Sequence, residues 1–129
     1  MPVRYVILKD RRLVITTAEG RVTVDEVKAH QDQLLNDPDF NPEFDQLIDG
    51  TAITAVDMSV NDIRMAVDRK LFSSTSRRAL VATRPFIYGM ARMMATYLEM
   101  SKAASPASVF RDFPSALKWL GIAEDSGLI

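Results

Sequence analysis

Gln46-Leu47-Ile48-Asp49, followed by Ser59-Val60-Asn61-Asp62, is the stretch that decides the architecture. The first segment is a short apolar run, read as a buried central strand continuing towards Ile53. The second is a helix start, with Ser59 before Ile63, Ala66, Val67 and Leu71 at helical spacing. A buried strand that passes into a capped helix is half of a βαβ unit.

The same alternation extends in both directions. Towards the N-terminus, Val3 to Leu8 reads as a strand with Val3, Tyr5 and Ile7 on one side. Lys9-Asp10-Arg11 is a turn, and Leu13-Val14-Ile15-Thr16-Thr17 is a β-branched second strand that Ala18-Glu19-Gly20 is expected to break. Thr23-Val24-Asp25-Glu26 matches a capping box. The helix it opens places Val27, Leu34 and Leu35 along one stripe and stops near Asn36-Asp37-Pro38.

Towards the C-terminus, Ala79-Leu80-Val81-Ala82 is a buried strand. Arg84-Pro85 starts a helix over 86–100, because proline suits the first helical position. Ser108-Val109-Phe110 is a short last strand. Asp112-Phe113-Pro114 caps a final helix carrying Ala116, Leu117, Trp119 and Leu120, with Gly121 after it. The order is ββαβαβαβα. It predicts an α/β fold with a single mixed, mostly parallel β-sheet flanked by helices, and one domain over residues 1–129.

Composition bounds the function. In 129 residues the hydrophobic content is 47% and the charged content 26%, ordinary for a globular domain and unlike a disordered or fibrous chain. No apolar run approaches the eighteen residues of a transmembrane helix. The start goes straight into a strand pattern, without the apolar stretch of a signal peptide. With zero cysteines there are no disulfides, thiolate metal sites or cysteine nucleophiles. The expected address is the cytoplasm.

The net charge is −1, unevenly spread. Residues 25–62 carry ten acids against Lys28, and residues 64–92 carry seven bases against Asp68. The simplest account is two solvated helix faces that pair loosely across the fold. The bases fall on different elements, so no nucleic-acid surface is expected.

Catalytic signatures are missing. The lone His30 has no companion for a usual zinc site and is expected at the surface or the edge of the core. No serine sits in a nucleophile elbow, and no glycine-rich phosphate loop is present. Neither a metal nor a cofactor is expected. A site in such a sheet would lie outside the carboxyl ends of the strands. That rule singles out Asp49, Asp57, Ser59 and Arg84, with Tyr88 and Arg92 one and two turns further along the third helix, as candidate partner- or ligand-binding residues. The same helix is rich in methionine and apolar around more of its circumference than one face requires. Met65, Phe86, Met90 and Met94 are therefore the candidate lining of an apolar pocket, and the surplus apolar surface would also suit a homodimer. Gly89 is expected to permit close helix–sheet approach.

Four segments carry a resemblance to a known family. They are Asp37-Pro38-Asp39-Phe40-Asn41-Pro42-Glu43-Phe44-Asp45-Gln46-Leu47-Ile48-Asp49, Arg78-Ala79-Leu80-Val81, Tyr88-Gly89-Met90-Ala91-Arg92-Met93, and Val109-Phe110-Arg111-Asp112-Phe113-Pro114-Ser115-Ala116-Leu117-Lys118-Trp119-Leu120-Gly121. In this order they resemble the STAS domain of anti-sigma-factor antagonists, and most of all its SpoIIAA-like branch, which shares its architecture with lipid-carrying CRAL-TRIO domains. The resemblance implies a non-enzymatic regulatory module that binds protein partners, nucleotides or apolar molecules. It also implies a phosphorylated serine at the start of the second helix. Ser59 matches by position, although Val56-Asp57-Met58-Ser59-Val60 departs from the family's Asp-Ser motif.

Two functions are expected from these readings. The first is a protein-interaction module that docks an unknown protein partner through its second helix, with Arg64 and Arg69 contributing charge. The second is a carrier or sensor of a small apolar, lipid-like ligand held beneath the second and third helices, with peripheral membrane association as an extension of that role.

Overall fold

The computed structural model describes residues 3–101 and 105–122. Strands β1 (Val3–Leu8) and β2 (Leu13–Thr23) form a hairpin around a single 3-10 turn. Then follow α1 (Val24–Leu35), β3 (Asp45–Asp57), α2 (Val60–Asp68), β4 (Arg78–Val81), α3 (Pro85–Met100), β5 (Ala107–Phe110) and α4 (Phe113–Leu120). The expected order ββαβαβαβα is the one found.

The five strands lie side by side in chain order. β1 pairs with β2 antiparallel, and every later pairing is parallel. Three successive crossovers step across the sheet in one direction. A uniform crossover hand then puts α1, α2 and α3 on the same face. The other face is left to α4.

Strand side chains alternate between these two faces. Leu13, Leu47, Ala79 and Val81 point to α4 and pack with its Ala116, Leu117 and Leu120. Val14 points to the opposite side, where it meets Leu34 of α1 together with Phe44, Leu71 and Phe72.

Helix starts are set by local chemistry. The Thr23 hydroxyl accepts the Glu26 N–H while the Glu26 carboxylate accepts the Thr23 N–H, completing a capping box. Ser59 and Asp62 do the same for α2. Asp112 caps α4 by accepting the Ser115 N–H at 2.8 Å. Gly121, at φ 76°, ends that helix.

Three expectations about the elements need correction. Ala18-Glu19-Gly20 does not end β2. Gly20 takes φ 67° and the register with β3 shifts on either side of it, so the strand bulges and runs on to Thr23. β3 likewise runs past Ile53 to Asp57, because the extended β2 gives it a partner along its whole length. Leu35 is exposed, one position round the helix from the buried Leu34. Among the described residues, no helix is long and apolar enough to cross a membrane.

Candidate functional site

Between the sheet and the three helices on its face lies a partly enclosed cavity of about 210 Å³. Its floor includes Ile48 of β3 and Leu80 of β4. Its walls are His30 and Leu34 from α1, Ile63 and Val67 from α2, and Met90 and Met94 from α3. The lining is overwhelmingly apolar. The volume exceeds the roughly 150 Å³ apolar cavity that accepts benzene. It is smaller than pockets that take drug-sized molecules.

The cavity has a few polar groups, and inward-facing strand positions supply most of them. Thr16 of β2, Gln46 of β3 and Arg78 of β4 stand where the alternation would otherwise place apolar side chains. Gln46 pairs in register with Arg78, at the amino-terminal ends of their strands. The Gln46 amide donates to the Thr16 hydroxyl at 2.9 Å, and that hydroxyl lies 3.3 Å from His30 Nε2.

His30 is only 8% exposed, and its Nδ1 has no hydrogen-bond partner among the described residues. Tyr5 meets its ring edge-on at 5.4 Å. Burial pushes the imidazole pKa down to about 4, which keeps it neutral at physiological pH. The expectation of a surface or core-edge histidine is thus corrected: α1 turns His30 onto the sheet.

Arg78 is the more unusual group. Its guanidinium lies 4.5 Å from the centre of the Phe72 ring. Nε is fully enclosed without a partner, and no acid among the described residues forms an ion pair with this side chain. Burial lowers its pKa to about 10, so it stays protonated at neutral pH.

The candidates read from the sequence divide. Met90 and Met94 line the cavity. Met65 and Phe86 do not: they are 55% and 69% exposed and sit on the outer sides of α2 and α3. Helical spacing makes all four apolar positions look alike, whereas only the inward sectors of each helix reach the cavity. Gly89 also faces outward, and a Cβ there would meet nothing within 4 Å, so it is not a close-approach glycine.

Asp49, Asp57, Ser59 and Tyr88 have local engagements. Asp49 accepts the Thr51 N–H and hydroxyl at 3.0 and 2.7 Å. Asp57 pairs with Arg21. Ser59 is exposed and caps α2, and Arg84 is exposed at the start of α3. Tyr88 and Arg92 share a shallow groove between α3 and β5, and Arg111 lies 4.4 Å over the Tyr88 ring. Arg64 and Arg69 each contact a neighbouring helix. Arg64 lies 5.4 Å from the Tyr97 ring centre, and Arg69 reaches Asp32 of α1 at 2.6 Å.

Sequence reasoning passed over Thr16, Gln46 and Arg78. The available signal was their parity: each is a polar residue that shares the inward face with an apolar neighbour two positions away, Val14, Ile48 or Leu80.

No family model and no curated protein matches the chain. Solved structures do. One is an uncharacterised protein from the DUF3478 family with a SpoIIAA-like fold, from Shewanella loihica PV-4. It shares 18% sequence identity, with 92% of this chain and 91% of that chain covered and a TM-score of 0.59. The chain therefore has a SpoIIAA-like fold, as the resemblance implied.

Proposed function

We propose that this protein is a non-catalytic binding module that holds a small apolar molecule in the cavity beneath α1, α2 and α3. The observation that carries this reading is the cavity itself. Apolar side chains around an unfilled cavity forgo dispersion contacts with partner atoms. A bound molecule recovers the lost contacts.

The test is a pair of native and denaturing mass spectra of protein purified from its own cells. A mass present only in the native spectrum is the expected result. Bare protein in both spectra counts against the reading.

A second reading is docking of a protein partner through α2. It is favoured by Val60 and Met65, both exposed on that helix beside the exposed Ser59 cap. Phosphate on Ser59 would add charge beside Asp62 and alter such a surface. A covalent gain of one phosphate in the denaturing spectrum, mapped to Ser59, supports this reading.

A further inference from the structure

We infer that the molecule held in the cavity is a small amphiphile with one carboxylate, and that this carboxylate seats against Arg78. The inference rests on the reading that the cavity holds a ligand, and it specifies the chemistry of that ligand.

Three features of Arg78 support it. First, it occupies the inward face of β4, among the residues that line the cavity. Second, its charge is not neutralised by any acid among the described residues. Removing a cation from water without an anionic partner is costly, and a ring face offsets only part of that cost. Third, Nε, one of the donors at the forked end of the side chain, is enclosed and has no partner among the described residues. Two parallel donors on that end match the geometry of a carboxylate.

Charge balance selects within the anions. One guanidinium faces the cavity and His30 is neutral, so a monoanion leaves the site electrically even. A dianionic phosphate would leave an uncompensated negative charge in an apolar surround. The rest of the ligand is apolar, because the remaining lining is. It is also modest in size, because the cavity holds little more than a ring or a medium-length chain.

The test is calorimetric titration of the full chain, freed of bound material, with octanoate, octanol, octylamine and octyl phosphate. Octanoate should bind at least about tenfold more tightly than octanol, the worth of one charge-assisted hydrogen bond. Octylamine should bind worst. Arg78→Met should abolish the preference for octanoate over octanol. Arg78→Lys, which keeps the charge but loses the fork, should keep part of the preference. Octanoate binding no better than octanol would overturn the anionic assignment and leave the cavity reading standing. Octyl phosphate binding best would overturn the carboxylate. If none of the four binds, the cavity reading falls and this inference falls with it. The wild-type comparison decides these outcomes even if a variant does not fold.

Discussion

Arg77 and Arg78 are adjacent in the chain and opposite in how their charge is met. Arg77 donates to the Trp119 and Leu120 carbonyls, each at 2.8 Å, and its guanidinium also reaches Asp45 at 3.4 Å. It thereby serves the carbonyl end of α4, where a cation is favoured by the helix dipole. Arg78 lies on the other face of the sheet, against the Phe72 ring, and has no ion pair among the described residues.

Stability should separate them too. Arg77→Met should lower the unfolding free energy by about 2 kcal/mol, the scale of hydrogen bonds from a charged donor at a partly exposed site. Arg78→Met, measured without ligand, should leave stability unchanged or raise it by up to about 2 kcal/mol, because it replaces an unpaired cation with an apolar side chain of similar length. Urea unfolding of the two variants beside the wild type provides the comparison. A marked loss in Arg78→Met would contradict the unpaired state.

His30 predicts a pH dependence with a definite sign. Its pKa is about 4 in the folded protein and 6.5 unperturbed. Above about pH 6.5 both states are neutral and the contribution is complete. As pH falls towards 4 the unfolded chain takes up the proton first, so stability declines through that window by up to about 3 kcal/mol. Unfolding free energies at pH 7.5, 5.5 and 4.5 should show a steeper decline for the wild type than for His30→Gln. Parallel curves would exclude His30 as the cause.

Gly89→Ala should stabilise the protein. Gly89 lies in mid-α3 on the solvent side, where an added methyl group has open space. The gain should approach the propensity difference of about 1 kcal/mol, raising the melting temperature by about 3 °C. A fall in melting temperature would show that the outer side of α3 is covered.

Ser59→Ala should cost about 1 kcal/mol by removing the hydroxyl that accepts the Asp62 N–H, whereas Ser59→Asn should retain most of that stability. Equal stability of all three proteins would remove the structural role of Ser59.

Helix starts and strand order were legible because each is written in neighbouring residues. Thr23 with Glu26, Ser59 with Asp62, and Asp112 before Pro114 are patterns a few residues long whose hydrogen bonds close locally. The cavity was legible only in part. Met90 and Met65 have the same chemistry and both fit helical spacing, and only the packing of α2 against α3 and the sheet turns one inward and the other out. His30 was misplaced for a similar reason. Its partner Thr16 lies on β2, held in turn by Gln46 of β3, and no local pattern reports contacts between residues so far apart in sequence. The bulge at Gly20 reads as a break until a neighbouring strand is seen to pair on both sides of it.

The strictly sequential strand order bears on how the chain is made. A ribosome delivers β1 to β5 in the order in which they lie, so each new strand can join the exposed edge of the sheet without being inserted between two others. α1, α2 and α3 arrive between strands and cover their face as it widens. α4 comes only after β5, so the apolar patch formed by Leu13, Leu47, Ala79 and Val81 stays bare until residues 113–120 emerge. The nascent protein is accordingly most prone to aggregation, and most in need of a chaperone, just before residues 113–120 emerge.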